Sequence, residues 1–302
     1  MKYTASILGL ALLTIVSCKQ QTNSNENTVS NNAEPIKEAT VIHDSKFVAD
    51  YTNSVQKLFS SNNYVPFDEL QMQLMDRVEE NSEVTVTAQP REFKNGNEMY
   101  YYLKDRTVAM GSSYLCDRCP NIHLNNASGF VIHEDGIIVT NFHVVETREN
   151  GPNISAVFAS DADGNVYPVV KILSASQSND LAILKVDTKG KKLKALALAE
   201  QELMGEDVYL MGHPFDNYFF MTKGMVARNY ISDRTGEVKM AITAEFGQGA
   251  SGGPVVNNYG EVVGVVSATA IHYTNGSKVH GDPQLIVKET VPVSVLHTYL
   301  KQ

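Results

Sequence analysis

Beyond residue 106 the apolar positions come in short runs rich in β-branched and aromatic side chains, among them 207–212, 222–231, 238–243, 254–257 and 261–271. Turn formers separate them, as at Glu134-Asp135-Gly136, Asp163-Gly164-Asn165, Arg234-Thr235-Gly236 and Asn257-Asn258-Tyr259-Gly260. Short strands punctuated in this way predict an all-β region. The chain before it has a different rhythm. Phe47, Tyr51, Val55, Leu58 and Phe59, then Phe67, Leu70, Leu74, Met75 and Val78, recur at helical spacing. Two short amphipathic helices follow from that pattern, with Met72 and Met75 read as core packing. A last helical spacing closes the chain in Val293-Ser294-Val295-Leu296-His297-Thr298-Tyr299-Leu300.

The first residues follow neither pattern. Met1-Lys2 precedes an apolar run over 7–16 that is too short for a comfortable membrane span and ends in small residues, as the core of a signal peptide does. Ile15-Val16-Ser17-Cys18 resembles a bacterial lipobox, in which Cys18 would become the lipid-bearing first residue of the mature chain; an ordinary secretory signal with a chance cysteine is the alternative. Lys19 after that cysteine points, by analogy, to the outer membrane. Residues 19–42 are rich in Asn, Ser, Thr, Gln and Glu and cannot bury enough apolar surface to offset the entropy of ordering. The expected order is a signal peptide over 1–17, a flexible tether over 18–43, a helical extension over 44–82 and a β domain over 83–302.

Three segments carry the chemistry: Thr140-Asn141-Phe142-His143-Val144-Val145, Asn179-Asp180-Leu181-Ala182-Ile183-Leu184 and Gly249-Ala250-Ser251-Gly252-Gly253-Pro254. A serine hydroxyl is a poor nucleophile at neutral pH. It needs an imidazole to take its proton and a carboxylate to fix the imidazole's tautomer. Each segment alone has an ordinary reading, as a loop, a structural histidine and a turn or cap aspartate. Together, each beside a strand-like run and in the order His, Asp, Ser, they nominate His143 as general base, Asp180 as orienting anion and Ser251 as nucleophile. Asp161, Asp163 and Asp187 are the other acidic candidates, and none precedes an apolar strand in the same context.

With Ser128-Gly129-Phe130-Val131-Ile132, Asp135-Gly136-Ile137-Ile138-Val139-Thr140-Asn141, Gly212-His213-Pro214-Phe215 and Val262-Val263-Gly264-Val265, these segments make the chain resemble a trypsin-fold serine protease, most similar to the HtrA/Deg-type branch. The resemblance covers about residues 106–300, specific in the triad segments and loose between them. It implies two six-stranded β-barrels, the first built from about 106–187, with a terminal helix on the second. His143 and Asp180 would come from the first barrel and Ser251 from the second. It also implies an oxyanion hole from the N–H groups of Gly249 and Ser251, a geometry glycine tolerates best. Glu245 would lie near the base of the primary specificity pocket, with Val266, Ser267 and Ala268 along it. The implied preference is for small or medium apolar residues, and a buried Glu245 would favour Lys or Arg instead. No PDZ domain fits before Gln302, so regulation through one is not carried over. The expected partners are protein or peptide substrates, and a membrane through the lipid anchor in a bacterial envelope. A protease-fold scaffold without turnover is the alternative.

Composition adds limits. The 302 residues, 43% hydrophobic, suffice for one two-barrel domain and an extension, and a formal charge of −9 argues against nucleic acid. No cofactor is called for. Cys116 and Cys119, spaced Cys-Asp-Arg-Cys and followed by His123, admit three readings. A local disulfide leads because export implies an oxidising compartment. A metal site with His123 would have three near ligands where structural zinc takes four, and a redox pair is the third. No metal is therefore assigned. Asp161-Ala162-Asp163-Gly164 resembles part of a calcium loop but lacks the closing Glu, and is expected to be a solvated turn.

Overall fold

The computed structural model describes residues 40–86, 89–116, 119, 121–146, 153–276 and 281–301. The expected signal peptide, Cys18 and nearly all of the tether lie outside the described residues. The described residues form one compact unit.

Twelve described strands close into two antiparallel barrels. β1 (Thr107–Leu115), β2 (Ile122–His133), β3 (Ile137–Thr140), β4 (Ile154–Ser160), β5 (Val166–Ser176) and β6 (Leu181–Val186) join in the order β1-β2-β3-β6-β5-β4. The second barrel takes β7 (Asp207–Gly212), β8 (Phe220–Ile231), β9 (Val238–Ile242), β10 (Pro254–Val256), β11 (Val262–Tyr273) and β12 (Pro283–Pro292), in the order β10-β11-β12-β9-β8-β7. Closure leaves neither sheet an open edge. The strand runs seen in the sequence fall within a residue or two of β7 to β11. β12 has no such signal: its first four residues, Pro283 to Ile286, are exposed, and pairing with β11 and β9 makes it a strand.

Before the barrels come α1 (Asp44–Ser60) and α2 (Phe67–Asp76), as the helical spacing predicts. They are built into the first barrel. Tyr51 is fully buried and its hydroxyl donates to the Phe158 carbonyl of β4 at 3.0 Å. Phe67, Leu70 and Leu74 form the inner face of α2 and share a core with Val108, Met110, Ile138 and Leu184. Burying a leucine in this way contributes about 1.5–3 kcal/mol. Met72 and Met75 are not core residues, being 63% and 74% exposed; once Phe67, Leu70 and Leu74 face the barrel, their positions fall on the outer side of the helix. A third helix, α3 (Gly96–Lys104), was not legible in the pattern. A reciprocal capping box starts it, with Asn95 Oδ1 accepting from the N–H of Glu98 and Glu98 Oε2 accepting from the N–H of Asn95. The four-residue α4 (Phe142–Val145) follows β3. The terminal α5 (Val293–His297) is shorter than the apolar spacing suggests, ending at Thr298 before Leu300.

Candidate active site

β3 and β6 are antiparallel neighbours, and Thr140 at the end of β3 faces Ala182 near the start of β6. That register brings His143, three residues past Thr140, and Asp180, two residues before Ala182, to the same end of the barrel. In α4 the side chains of Phe142, Val144 and Val145 are buried, which leaves the His143 imidazole on the outer, cleft side. Asn141, fully buried, donates from Nδ2 to the Asp180 carbonyl at 2.8 Å and ties the two turns together.

The Asp180 carboxylate receives three donors. His143 Nδ1 lies 2.9 Å from Oδ1 and 3.1 Å from Oδ2, the His143 backbone N–H donates to Oδ1 at 3.2 Å, and Ser267 Oγ donates to Oδ2 at 2.7 Å. A carboxylate can only accept, so Nδ1 carries the hydrogen and Nε2 keeps its lone pair for the cleft. Asp180 has φ +62, a left-handed conformation that its short polar side chain tolerates better than most. The preceding residue is also fixed: the buried Lys239 donates from Nζ to the Asn179 carbonyl at 3.0 Å, and Asn179 Nδ2 donates to the Tyr299 hydroxyl at 3.0 Å.

Ser251 sits in the turn before β10. The Phe215 N–H donates to the Gln248 carbonyl at 2.8 Å, and because the peptide is planar and trans the Gly249 N–H faces the opposite way. Among the described residues the N–H groups of Gly249 and Ser251 donate to no backbone carbonyl, although those of Ala250, Gly252 and Gly253 do. Gly249 has φ +97, and a Cβ there would lie 2.4 Å from the His213 carbonyl oxygen. At Gly252, φ +82, a Cβ would lie 2.3 Å from both the Ser128 carbonyl oxygen and Thr140 Oγ1. Both positions therefore require glycine.

Behind this turn lies a support that the sequence reading did not single out. Ser128 Oγ donates to the Gly249 carbonyl at 2.8 Å, accepts from the His213 N–H at 3.1 Å and meets His213 Nδ1 at 2.9 Å. One hydroxyl hydrogen serves one acceptor, so Nδ1 is the protonated nitrogen of His213. Burial pushes the His213 pKa down to about 3, so the ring is neutral. Ser128 opens the Ser128-Gly129-Phe130-Val131-Ile132 run, and a hydroxyl residue at the head of that apolar run is the signal that marks it.

His143, Gly249 and Ser251 line one cleft of about 250 Å³, with Ser112, Asn125, Asn126, Ala127 and Gln248 around them. A larger open depression, about 530 Å³, lies beside Ser54, Lys57, Tyr167 and Lys191 and shares no lining residue with this cleft.

The residues expected along the specificity pocket fare differently. Glu245 is not a buried pocket floor: its side chain is 78% exposed and pairs with Lys288 Nζ at 3.1 Å. A carboxylate keeps its hydration where it can, and the buried Lys288 reaches it from the interior side. Val266 is fully buried in the second-barrel core, its N–H bonded to the Gly253 carbonyl at 3.0 Å and its carbonyl to the Gly252 N–H at 2.9 Å. Ser267 directs its hydroxyl at Asp180, and Ala268 is half-buried on β11. Cys116 and Cys119 are not joined as a disulfide. Cys119 Sγ faces His123 Nε2 at 3.0 Å instead. Asp161 is indeed held in a turn, accepting from Asn165, Tyr167 and Lys191.

Residues 127–265 match the family profile described as the trypsin-like peptidase domain. The chain is 33% identical over 153 residues to Protease Do-like 5, chloroplastic, of Arabidopsis thaliana, a match covering 47% of each chain. It is 31% identical over 144 residues to the probable periplasmic serine endoprotease DegP-like of Chlamydia muridarum, covering 47% of this chain and 28% of that protein. With human serine protease HTRA3 it shares 31% over 153 residues, 48% of this chain and 33% of the relative. The matches thus span about half the length of these relatives or less. The segment from 127 to 265 runs from within β2 to within β11 and takes in all three candidate residues, and it is this stretch that is similar to the trypsin-like peptidase domain and to the HtrA and Deg serine proteases.

Proposed function

We propose that the chain is a serine endopeptidase that hydrolyses peptide bonds in protein substrates through an acyl-enzyme. The observation that carries this reading is the His143 imidazole, held through Nδ1 by the Asp180 carboxylate and sharing one cleft with Ser251. His143 Nε2 takes the Ser251 hydroxyl proton as Oγ attacks the scissile carbonyl. Asp180 stabilises the imidazolium without itself taking the proton. The N–H groups of Gly249 and Ser251 donate to the oxyanion, a contribution worth about 10²–10³ in rate for such a donor. His143 then protonates the leaving amine, and water repeats the sequence to release the acid. Glu245, paired with Lys288 and exposed, offers no buried negative charge to a substrate Lys or Arg, and the preference proposed is for small or medium apolar residues.

A phosphonofluoridate probe should label the purified protein at Ser251, and Ser251→Ala should abolish casein cleavage while preserving the fold. Retained cleavage in that variant overturns the assignment. A well-folded wild type that neither labels nor cleaves would establish the scaffold reading instead.

The proposed address is the bacterial envelope, with lipid on Cys18 holding the protein at the outer membrane. Its support is the lipobox-like sequence and the similarity to the probable periplasmic DegP-like endoprotease of Chlamydia muridarum. Cys18→Ala should release the protein from membranes and stop incorporation of labelled fatty acid, and unchanged membrane partition would refute the anchor. Among the described residues no helix is long and apolar enough to cross a membrane.

A further inference from the structure

The hairpin of β1 and β2 carries, at its closed end, a set of side chains that the peptidase chemistry does not use. Cys116 and Cys119 flank the turn, with the Cys119 N–H directed at the Cys116 carbonyl at 3.4 Å. His123 lies one residue into β2, opposite Tyr114 of β1, and its ring stacks on that of Tyr114 with centroids 5.5 Å apart. All three side chains are half-buried, and their donor atoms lie within 4.8 Å of one another. We propose that Cys116, Cys119 and His123 form a binding site for a thiophilic divalent metal, zinc by preference.

The geometry is close to what zinc requires. With Zn–S near 2.3 Å and Zn–N near 2.0–2.1 Å, tetrahedral ligand atoms stand about 3.5–3.8 Å apart. The three donors already occupy such a triangle to within about an ångström, and Cys119 Sγ, at 3.0 Å from His123 Nε2, needs only a small outward movement. Stacking on Tyr114 limits the directions in which His123 can present Nε2. Two thiolates neutralise the dication, and a thiolate–imidazole set favours zinc over magnesium or calcium, which take oxygen donors. Binding releases the two thiol protons to solvent. The fourth position is left to water or to a donor from another molecule, as in three-ligand zinc sites.

The position gives the site a consequence. Two residues beyond His123, β2 reaches Asn125, Asn126 and Ala127, which line the cleft beside His143 and Ser251. A metal joining the turn to β2 would hold that wall in one arrangement by removing conformational freedom from the hairpin end. This inference stands on the hairpin alone and does not depend on the peptidase reading.

The test uses the full chain purified anaerobically. Zinc titration with metal analysis should give one zinc per chain, and cobalt(II) should produce the thiolate charge-transfer and tetrahedral ligand-field bands. Cys116→Ser, Cys119→Ser and His123→Ala should each lose stoichiometric binding while keeping the wild-type circular dichroism. Hydrogen exchange should slow in 111–127 on adding zinc to wild type, and not in the variants. No stoichiometric metal in the reduced protein overturns the site, as does binding unaltered by either cysteine substitution. Isolation of the chain with Cys116 and Cys119 as a disulfide overturns it in favour of a structural bridge.

Discussion

Asp180 is the residue on which the proposed chemistry turns, because it fixes both the tautomer and the tilt of His143. Its carboxylate is bonded by the ring, by the backbone of the same histidine and by Ser267. Asp180→Asn keeps the shape but can present an amide donor towards Nδ1, which favours the wrong tautomer. A loss of about 10⁴ in kcat, with KM little changed, is expected. Ser267→Ala removes one hydrogen bond to the carboxylate and leaves its charge, so its loss should be far smaller. Steady-state kinetics on one peptide substrate decide both, and equal losses in the two variants would contradict the role given to Asp180.

At the scale of elements, the helical extension acts as part of the first barrel. α2 inserts Phe67, Leu70 and Leu74 among barrel residues, and Gln71 Nε2 donates to the Val145 carbonyl at the end of the helix that bears His143. Glu79 reaches further, accepting from the Tyr299 hydroxyl at 2.8 Å, which in turn accepts from Asn179 beside Asp180. The extension thereby buttresses both turns of the His–Asp pair. Leu74→Ala should destabilise the protein by about 2–5 kcal/mol through lost burial and a residual cavity. The outward Met75→Ala should shift stability by less than about 0.5 kcal/mol. Chemical denaturation of the two variants measures the contrast, and similar midpoints would mean that α2 is not a structural part of the barrel.

For the whole molecule, the neutral His213 makes stability depend on pH. Its folded pKa is pushed down to about 3 by burial, against an ordinary value of 6.5. Between those values the unfolded chain binds a proton that the folded chain does not, so stability rises with pH there. The contribution is complete above about pH 6.5 and is lost as the pH falls towards 3, with a slope of up to about 1.4 kcal/mol per pH unit. His213→Asn can still donate to Ser128 but does not titrate, and its stability should fall less steeply over the same range. Denaturation midpoints at a series of pH values test this, and parallel profiles for wild type and variant would exclude the histidine as the source.

The sequence by itself determined the all-β class, the strand runs of β7 to β11 in the second barrel, the two leading helices and the identity of the three candidate residues. Each of these depends on local matters: side-chain periodicity, turn chemistry and the glycines that Gly249 and Gly252 must be because no Cβ fits their surroundings. Tertiary structure decided the rest. β12 is a strand because β11 and β9 pair with it, and α5 stops short although the apolar spacing runs on. Met72 and Met75 are exposed because three neighbours on α2 already occupy its buried face. Glu245 is exposed and pairs with the buried Lys288, 43 positions away in sequence. Ser128 supports the turn of Ser251 because the first barrel packs on the second with β2 beside β7. Interactions between groups far apart in sequence leave no period to read, and only closing the chain into barrels specifies which of them meet.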